Sequence, residues 1–209
     1  MFQRPASSAS GVASAAPVYV NSSNITVALG SSMSPNPFAN VTTANSLANI
    51  IDAPSATAGE LHNQSTHVWV SGGTLELVFD FGVEYDLSDV HFWNYHSEGY
   101  DVDDISFEFF NAANVSVGTL SFSPLLGNNT GSDADPIYAE SYALAFPSNV
   151  QFVTAVLSGT NNQVDFNNIG FTAQLSNPDP DPDPDPVPEP TTMALFAIAL
   201  ACGARARRR

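Results

Sequence analysis

Leu75, Leu77, Phe79 and Phe81 alternate with Glu76, Val78 and Asp80. A period of two places one set on each face of an extended strand, so this stretch is expected to bury its apolar face and wet the other. Further segments read the same way: Ile25 to Leu29, Val90 to Tyr95, Ile105 to Phe110, Val115 to Phe122, Tyr138 to Phe146, Val150 to Leu157 and Asn168 to Gln174. Turn chemistry separates them at Ser71-Gly72-Gly73, Asp86-Leu87-Ser88-Asp89, Gly127-Asn128-Asn129 and Gly159-Thr160-Asn161-Asn162. No segment before the C-terminal tail sustains a helical period. Short strands at regular spacing, divided by Gly/Asn turns, predict an all-β jelly-roll β-sandwich over residues 18–176.

Charge narrows what such a domain can meet. The chain has 21 acidic and five basic residues, a formal net charge of −16. It contains no lysine, and no arginine lies between Arg4 and Arg205. A surface of this kind repels phosphate backbones and anionic lipid, which argues against a nucleic-acid partner. It tolerates divalent cations and high salt. Cys202 is the single cysteine, so the sandwich has no disulfide and must depend on its apolar core. About 160 residues suffice for one such core.

The C-terminus is built differently. Pro178 to Pro186 alternates proline with aspartate. Proline fixes φ and removes the amide donor, so the segment is expected to run as extended polyproline II. Residues 177–187 therefore read as a stalk, about 34 Å long from Pro178 to Pro188 at 3.1 Å per residue. A calcium-binding acidic tract is the alternative, although a stiff rod cannot wrap carboxylates around one ion. Val187, Pro188, Glu189 and Pro190 follow, then the apolar run from Thr191 to Ala204, then Arg205, Arg207, Arg208 and Arg209. The run makes a helix of about 21 Å against a hydrocarbon core of roughly 30 Å, a short and temporary transmembrane helix. Flanking arginines tend to stay cytoplasmic, which leaves the body on the outer side.

This order of parts in residues 188–209 closely resembles the PEP-CTERM sorting signal. The resemblance implies an exported protein held briefly in the inner membrane, cut near Pro188-Glu189-Pro190 by an exosortase-type membrane protease, and passed to the cell surface or extracellular matrix. At the other end, Ala13-Ser14-Ala15 before Ala16-Pro17 fits a signal-peptidase site, but Pro5 to Val12 lacks the apolar stretch a signal peptide needs. Residues 1–17 read either as the remnant of a truncated signal peptide or as a chance match.

Within the body, Ile50-Ile51-Asp52, Trp69-Val70-Ser71 and Leu77 to Gly82 occur in an order that resembles the galactose-binding-like (discoidin, or coagulation factor 5/8 type C) domain. Tyr85 to Val90, His91 to Tyr95 and the closing Phe166 to Phe171 continue it. The resemblance implies a non-catalytic domain that binds glycan through loops at one end of the sandwich. It also implies a structural calcium near the first loop and last strand, where Asp52 and Asn168 stand. Ala53 and Asn168 replace the usual glycine and carboxylate, which weakens that set.

Sugar recognition needs an aromatic platform beside hydrogen-bonding groups. His62, Asn63, His67 and Trp69, with His96, Tyr95 and Tyr100, are the candidates. The plainer reading packs Trp69 and Trp93 in the core, Trp93 especially, and leaves the histidines as surface decoration. Asp101, Asp103 and Asp104 could serve as paired carboxylates, but their clustering fits a solvated turn or the rim of a metal loop better. The histidines lack a zinc spacing, and no nucleophile elbow or phosphate loop is present. The sequence therefore points away from an enzyme. It leaves a binding module for extracellular polysaccharide or a purely structural acidic matrix protein.

Overall fold

The computed structural model of the chain describes residues 16–130, 132, 134–145 and 147–176. The stalk, the sorting signal with its membrane segment, and the leader expectation apart from Ala16 and Pro17 lie outside the described residues. The elements in chain order begin with β1 (Val18–Val20), β2 (Thr26–Leu29), α1 (Thr43–Asn49), β3 (Gly59–Glu60), β4 (Val68–Ser71) and β5 (Thr74–Asn94). They continue with β6 (Asp104–Phe110), β7 (Ser116–Phe122), β8 (Ile137–Tyr138), β9 (Glu140–Ala143), β10 (Val150–Ser158) and β11 (Gln163–Leu175).

Nine of these strands share one antiparallel hydrogen-bonded ladder, in the order β1-β11-β5-β10-β6-β7, with β2 and β9 added to β5 and β4 to β11. Strand β5 folds the ladder into a jelly-roll sandwich. Its first half, Thr74 to Asp80, lies between β2 and β10, and its second half, Tyr85 to Asn94, between β9 and β11. The chain bends from one layer to the other at Gly82, whose φ of 69° suits a residue without Cβ. Asp80 holds the bend by accepting the Gly82 amide at 2.7 Å. The turn expected at Asp86 to Asp89 is therefore a correction. These residues pair with Gln174, Ala173 and Thr172, and a full ladder overrides their turn-forming composition.

Side chains from the two layers meet in a core of Leu75, Leu77, Phe79, Phe107, Val153, Phe166 and Phe171, all at most 1% exposed. Phe171 touches Phe79 edge-on at 5.4 Å and Phe107 at 6.4 Å, across the sandwich. A smaller cluster of Ala53, Trp93 and Ile137 covers the opposite face of β5. Trp93 is fully buried there and donates Nε1 to the Ala58 carbonyl at 2.9 Å, the core role expected of it.

Two further differences are local. Helix α1 shows no long apolar period because it is seven residues long; Thr42 caps it by accepting the Asn45 amide at 3.4 Å. The strand expected from Tyr138 to Phe146 is divided, since Tyr138 pairs with Gly59 whereas Glu140 to Ala143 pair with β5.

Strand β11 changes parity. Val164 and Phe166 face the core before Asn167, and Ile169, Phe171 and Ala173 face it afterwards. Its register against β5 shifts between Phe166 and Asn168, so one extra residue bulges out of the ladder. That bulge positions the site.

Candidate ligand-binding cleft

Val68 and Val70 of β4 point into the core, so Trp69 between them faces outward. Its cross-strand partner on β11 is Asp165. Trp69 is held flat by a 2.6 Å hydrogen bond from its Nε1 to Gln163 Oε1. The loop between β3 and β4 supplies the next side chains. Asn63 organises it: its Oδ1 accepts the Ser65 amide at 3.0 Å, and its carbonyl accepts the Thr66 and His67 amides at 3.0 and 3.1 Å. Asn40 anchors the same loop by donating Nδ2 to the His67 carbonyl at 2.8 Å.

Tyr95 and Tyr100 come from the loop after β5. Asn94, 3% exposed, fixes that loop by donating Nδ2 to the Val102 and Leu125 carbonyls and accepting the Val102 amide, each at 3.0 Å. Together these segments enclose a cleft of about 240 Å³ lined by His62, Asn63, Gln64, His67, Trp69, Tyr95, Tyr100 and Asp165.

The floor of the cleft is polar and almost dry. His62, His67 and Asp165 are 9%, 4% and 3% exposed. His67 Nδ1 lies 2.9 and 3.2 Å from the two Asp165 carboxylate oxygens, and His62 Nε2 lies 3.6 Å from Oδ2. His62 Nδ1 is 2.7 Å from Asn167 Oδ1, and Asn167 donates its Nδ2 to the Leu61 carbonyl at 3.0 Å. Rings build the walls. Tyr95 stacks on His62 with centroids 4.0 Å apart, and Trp69 and Tyr100 meet edge-on at 6.5 Å. Tyr100 is 47% exposed, so one aromatic face is open to solvent at the rim.

Six of the residues singled out from sequence, His62, Asn63, His67, Trp69, Tyr95 and Tyr100, thus line one cleft. The histidines of this group are buried, which corrects their reading as surface decoration; the Asp165 carboxylate compensates their burial. His96 does not line the cleft. It stands behind Tyr95, ring centroids 4.4 Å apart. Burial, then the His62 charge, pushes its imidazole toward the neutral form against the pull of Asp165. Sequence reasoning missed Gln64, Asp165 and Asn167. The bulge in β11 hid the last two, because a uniform alternation through Phe166-Asn167-Asn168 cannot serve both halves of the strand.

Asp52 and Asn168 also meet, away from the cleft lining. Asn168 donates Nδ2 to Asp52 Oδ1 at 2.6 Å and to the Asn49 carbonyl at 2.8 Å. The amide hydrogens, not an oxygen, face the carboxylate. Calcium asks for six to eight oxygen ligands, and this pair supplies one carboxylate, so the residues as arranged do not fit that ion. Burial raises the Asp52 carboxyl above its usual range.

The acidic loop departs from a solvated turn at one position. Asp101 is 5% exposed, and burial, then Asp103 and Glu98, pushes its carboxyl up to about 6. Asp103 accepts the Thr160 amide and Asp104 accepts the Ser123 hydroxyl, the latter at 2.8 Å. These two act as loop staples.

Residues 186–209 match the PEP-CTERM protein-sorting motif. No curated protein matches the sequence. Among solved structures, the chain is similar to a truncated AlyQ with CBM32 and alginate lyase domains, at 15% identity and a TM-score of 0.45. The match covers 78% of this chain and 35% of that one, so the chain spans about a third of its length. It is also similar to an F5/8 type C domain from Bacteroides fragilis, at 17% identity, covering 76% of this chain and 97% of that one, with a TM-score of 0.47. A third is the family 32 CBM from C. perfringens NanJ in complex with galactose, at 10% identity, covering 75% and 99%, with a TM-score of 0.46.

Proposed function

We propose that the protein is an exported, non-catalytic glycan-binding module. Its PEP-CTERM tail directs it through a temporary inner-membrane insertion, and an exosortase-type membrane protease cuts near Val187-Pro188-Glu189-Pro190. The domain is then presented at the cell surface or in the extracellular matrix, where its cleft holds polysaccharide.

The observation that carries the binding role is the cleft itself. Trp69, Tyr95 and Tyr100 offer apolar ring faces, while Asn63, Gln64 and the imidazole–carboxylate floor offer donors and acceptors between them. A pyranose has the matching pair of surfaces: a C–H face that lies on an aromatic ring and hydroxyls that need polar partners. Glycoside hydrolysis would call for two carboxyl groups across the scissile bond. Asp165 is the one carboxylate among the described residues that line the cleft, and two imidazoles already engage it. That lining supports recognition without bond cleavage.

Charge selects the class of sugar. No lysine or arginine occurs from Pro5 to Ala204, so the cleft lacks the guanidinium that would pair with a uronate. Neutral hexoses and N-acetylhexosamines are the expected ligands. The test is a glycan array run on the protein both before and after chelator treatment. Saturable binding to neutral glycans, weakened at least ~10-fold by Trp69→Ala, is the expected result. A flat array would overturn the module and favour the acidic matrix protein without a defined pocket.

A further inference from the structure

The floor of the cleft holds an arrangement that sugar binding does not require. Asn167 donates its amide hydrogens to the Leu61 carbonyl, so its oxygen is the atom turned toward His62 Nδ1. That oxygen can only accept, so His62 carries a hydrogen on Nδ1. In the neutral ring Nε2 then presents a lone pair, and what it faces 3.6 Å away is an Asp165 carboxylate oxygen. Two electron-rich atoms pointed at one another in a dry site repel unless something positive lies between them. A proton on Nε2 satisfies the contact. So does a metal ion.

We propose that His62, His67 and Asp165 form a binding site for a borderline divalent transition metal, of which zinc is the best-suited example. One ligand atom from each lies within 4.8 Å of those of the other two. From one carboxylate oxygen, Asp165 Oδ2, His67 Nδ1 lies 3.2 Å away and His62 Nε2 3.6 Å away, and these separations bracket the edge of a tetrahedron with metal–ligand bonds near 2.0 Å, about 3.3 Å. Donor chemistry selects the ion. Two imidazoles and one carboxylate suit zinc, nickel or copper, whereas calcium and magnesium prefer oxygen alone.

Further observations point the same way. Asn167 is an outer partner of the kind that fixes a metal-binding imidazole in one tautomer and orientation. The chain's charge of −16, with no lysine or arginine in the folded body, concentrates dications around it. Three protein ligands leave a fourth position, toward the cleft, for water or a ligand hydroxyl. The spacing of five between His62 and His67 hides this set in the sequence; the loop from Asn63 to Thr66 turns back and brings both rings to β11.

The site stands independently of the glycan reading, since the metal is titrated with no sugar present. The experiment is isothermal titration of zinc chloride into the full chain after chelator treatment, with calcium chloride as a parallel titrant. The expected result is one zinc per chain and no matching calcium isotherm. His62→Gln and Asp165→Asn should each weaken zinc by at least about tenfold, with circular dichroism confirming the fold. Should a variant fail to fold, cobalt(II) added to the wild-type chain provides a second readout: visible ligand-field bands of a four-coordinate nitrogen/oxygen site are expected. No zinc binding, unchanged zinc affinity in His62→Gln, equal calcium binding, or a six-coordinate aqueous cobalt spectrum would each overturn the proposal.

Discussion

Glu60 shows what single side chains contribute to this anionic domain. It sits on β3, and burial, then the nearby Asp52 charge, pushes its carboxyl up to about 7. An unfolded glutamate titrates near 4.3. Between those values the folded state binds more proton than the unfolded state, so stability falls as pH rises through the window. Asp101, pushed up to about 6, adds the same sign over a narrower range. Glu60→Gln removes the Glu60 contribution. Thermal melts of the variant should vary less with pH between 5 and 8 than those of the parent. At pH 8 the variant should be more stable by on the order of 1 kcal/mol, the shift being discounted because the side chain is partly solvated. A variant less stable than the parent at pH 8 would mean that the ionised carboxylate is held by partners, not opposed by burial.

The β-bulge in β11 is the element on which core and cleft both depend. Asn167 occupies it, bonds the His62 ring and the Leu61 carbonyl, and allows Val164 and Phe166 on one side and Ile169, Phe171 and Ala173 on the other to face the same core. Asn167→Ala keeps the bulge but removes both hydrogen bonds, leaving buried groups unpaired; a denaturant melt should show a loss of about 1–3 kcal/mol. Deleting Asn167 instead reverses the parity of one half of the strand and exposes a row of core side chains. The deletion should yield no cooperatively folded protein. A deletion variant that melts cooperatively would show that the strand can re-register without it.

These two changes also mark what the sequence made legible. Strand β6 was readable because it keeps one parity, with Ile105, Phe107 and Phe109 on one apolar face from end to end. The cleft residues His62, Trp69 and Tyr100 were readable because aromatic and imidazole side chains at or beside loops have few other uses. Asp165 and Asn167 were not, because they lie in a strand whose alternation breaks between them. The continuity of β5 was hidden for a different reason. Asp86-Leu87-Ser88-Asp89 has the composition of a turn, and only the partners on both sides, which arrive from distant parts of the chain, keep it extended.

At the scale of the whole molecule, the sandwich is a folded body without lysine or arginine. Among the described residues the basic side chains set against a carboxylate within 4 Å are His62 and His67, both beside Asp165 and charged only when protonated. Elsewhere on the surface carboxylates have no opposite charge to pair with, so folding brings like charges together against an apolar core that must outweigh their repulsion. Dissolved ions are the available screen. The Debye length falls from about 30 Å at 0.01 M salt to about 10 Å at 0.1 M and about 3 Å at 1 M. Stability should therefore rise with sodium chloride, and most steeply at the low end, where screening first reaches the spacing between surface carboxylates. A gain of 1–2 kcal/mol corresponds to a melting temperature higher by roughly 2–8 °C for a domain of this size. Scanning melts from 0.01 to 1 M should show most of that rise complete by about 0.3 M. A melting temperature that climbed linearly to 1 M would reflect ion exclusion from apolar surface, which acts on any protein. It would remove charge repulsion as the force that limits this fold.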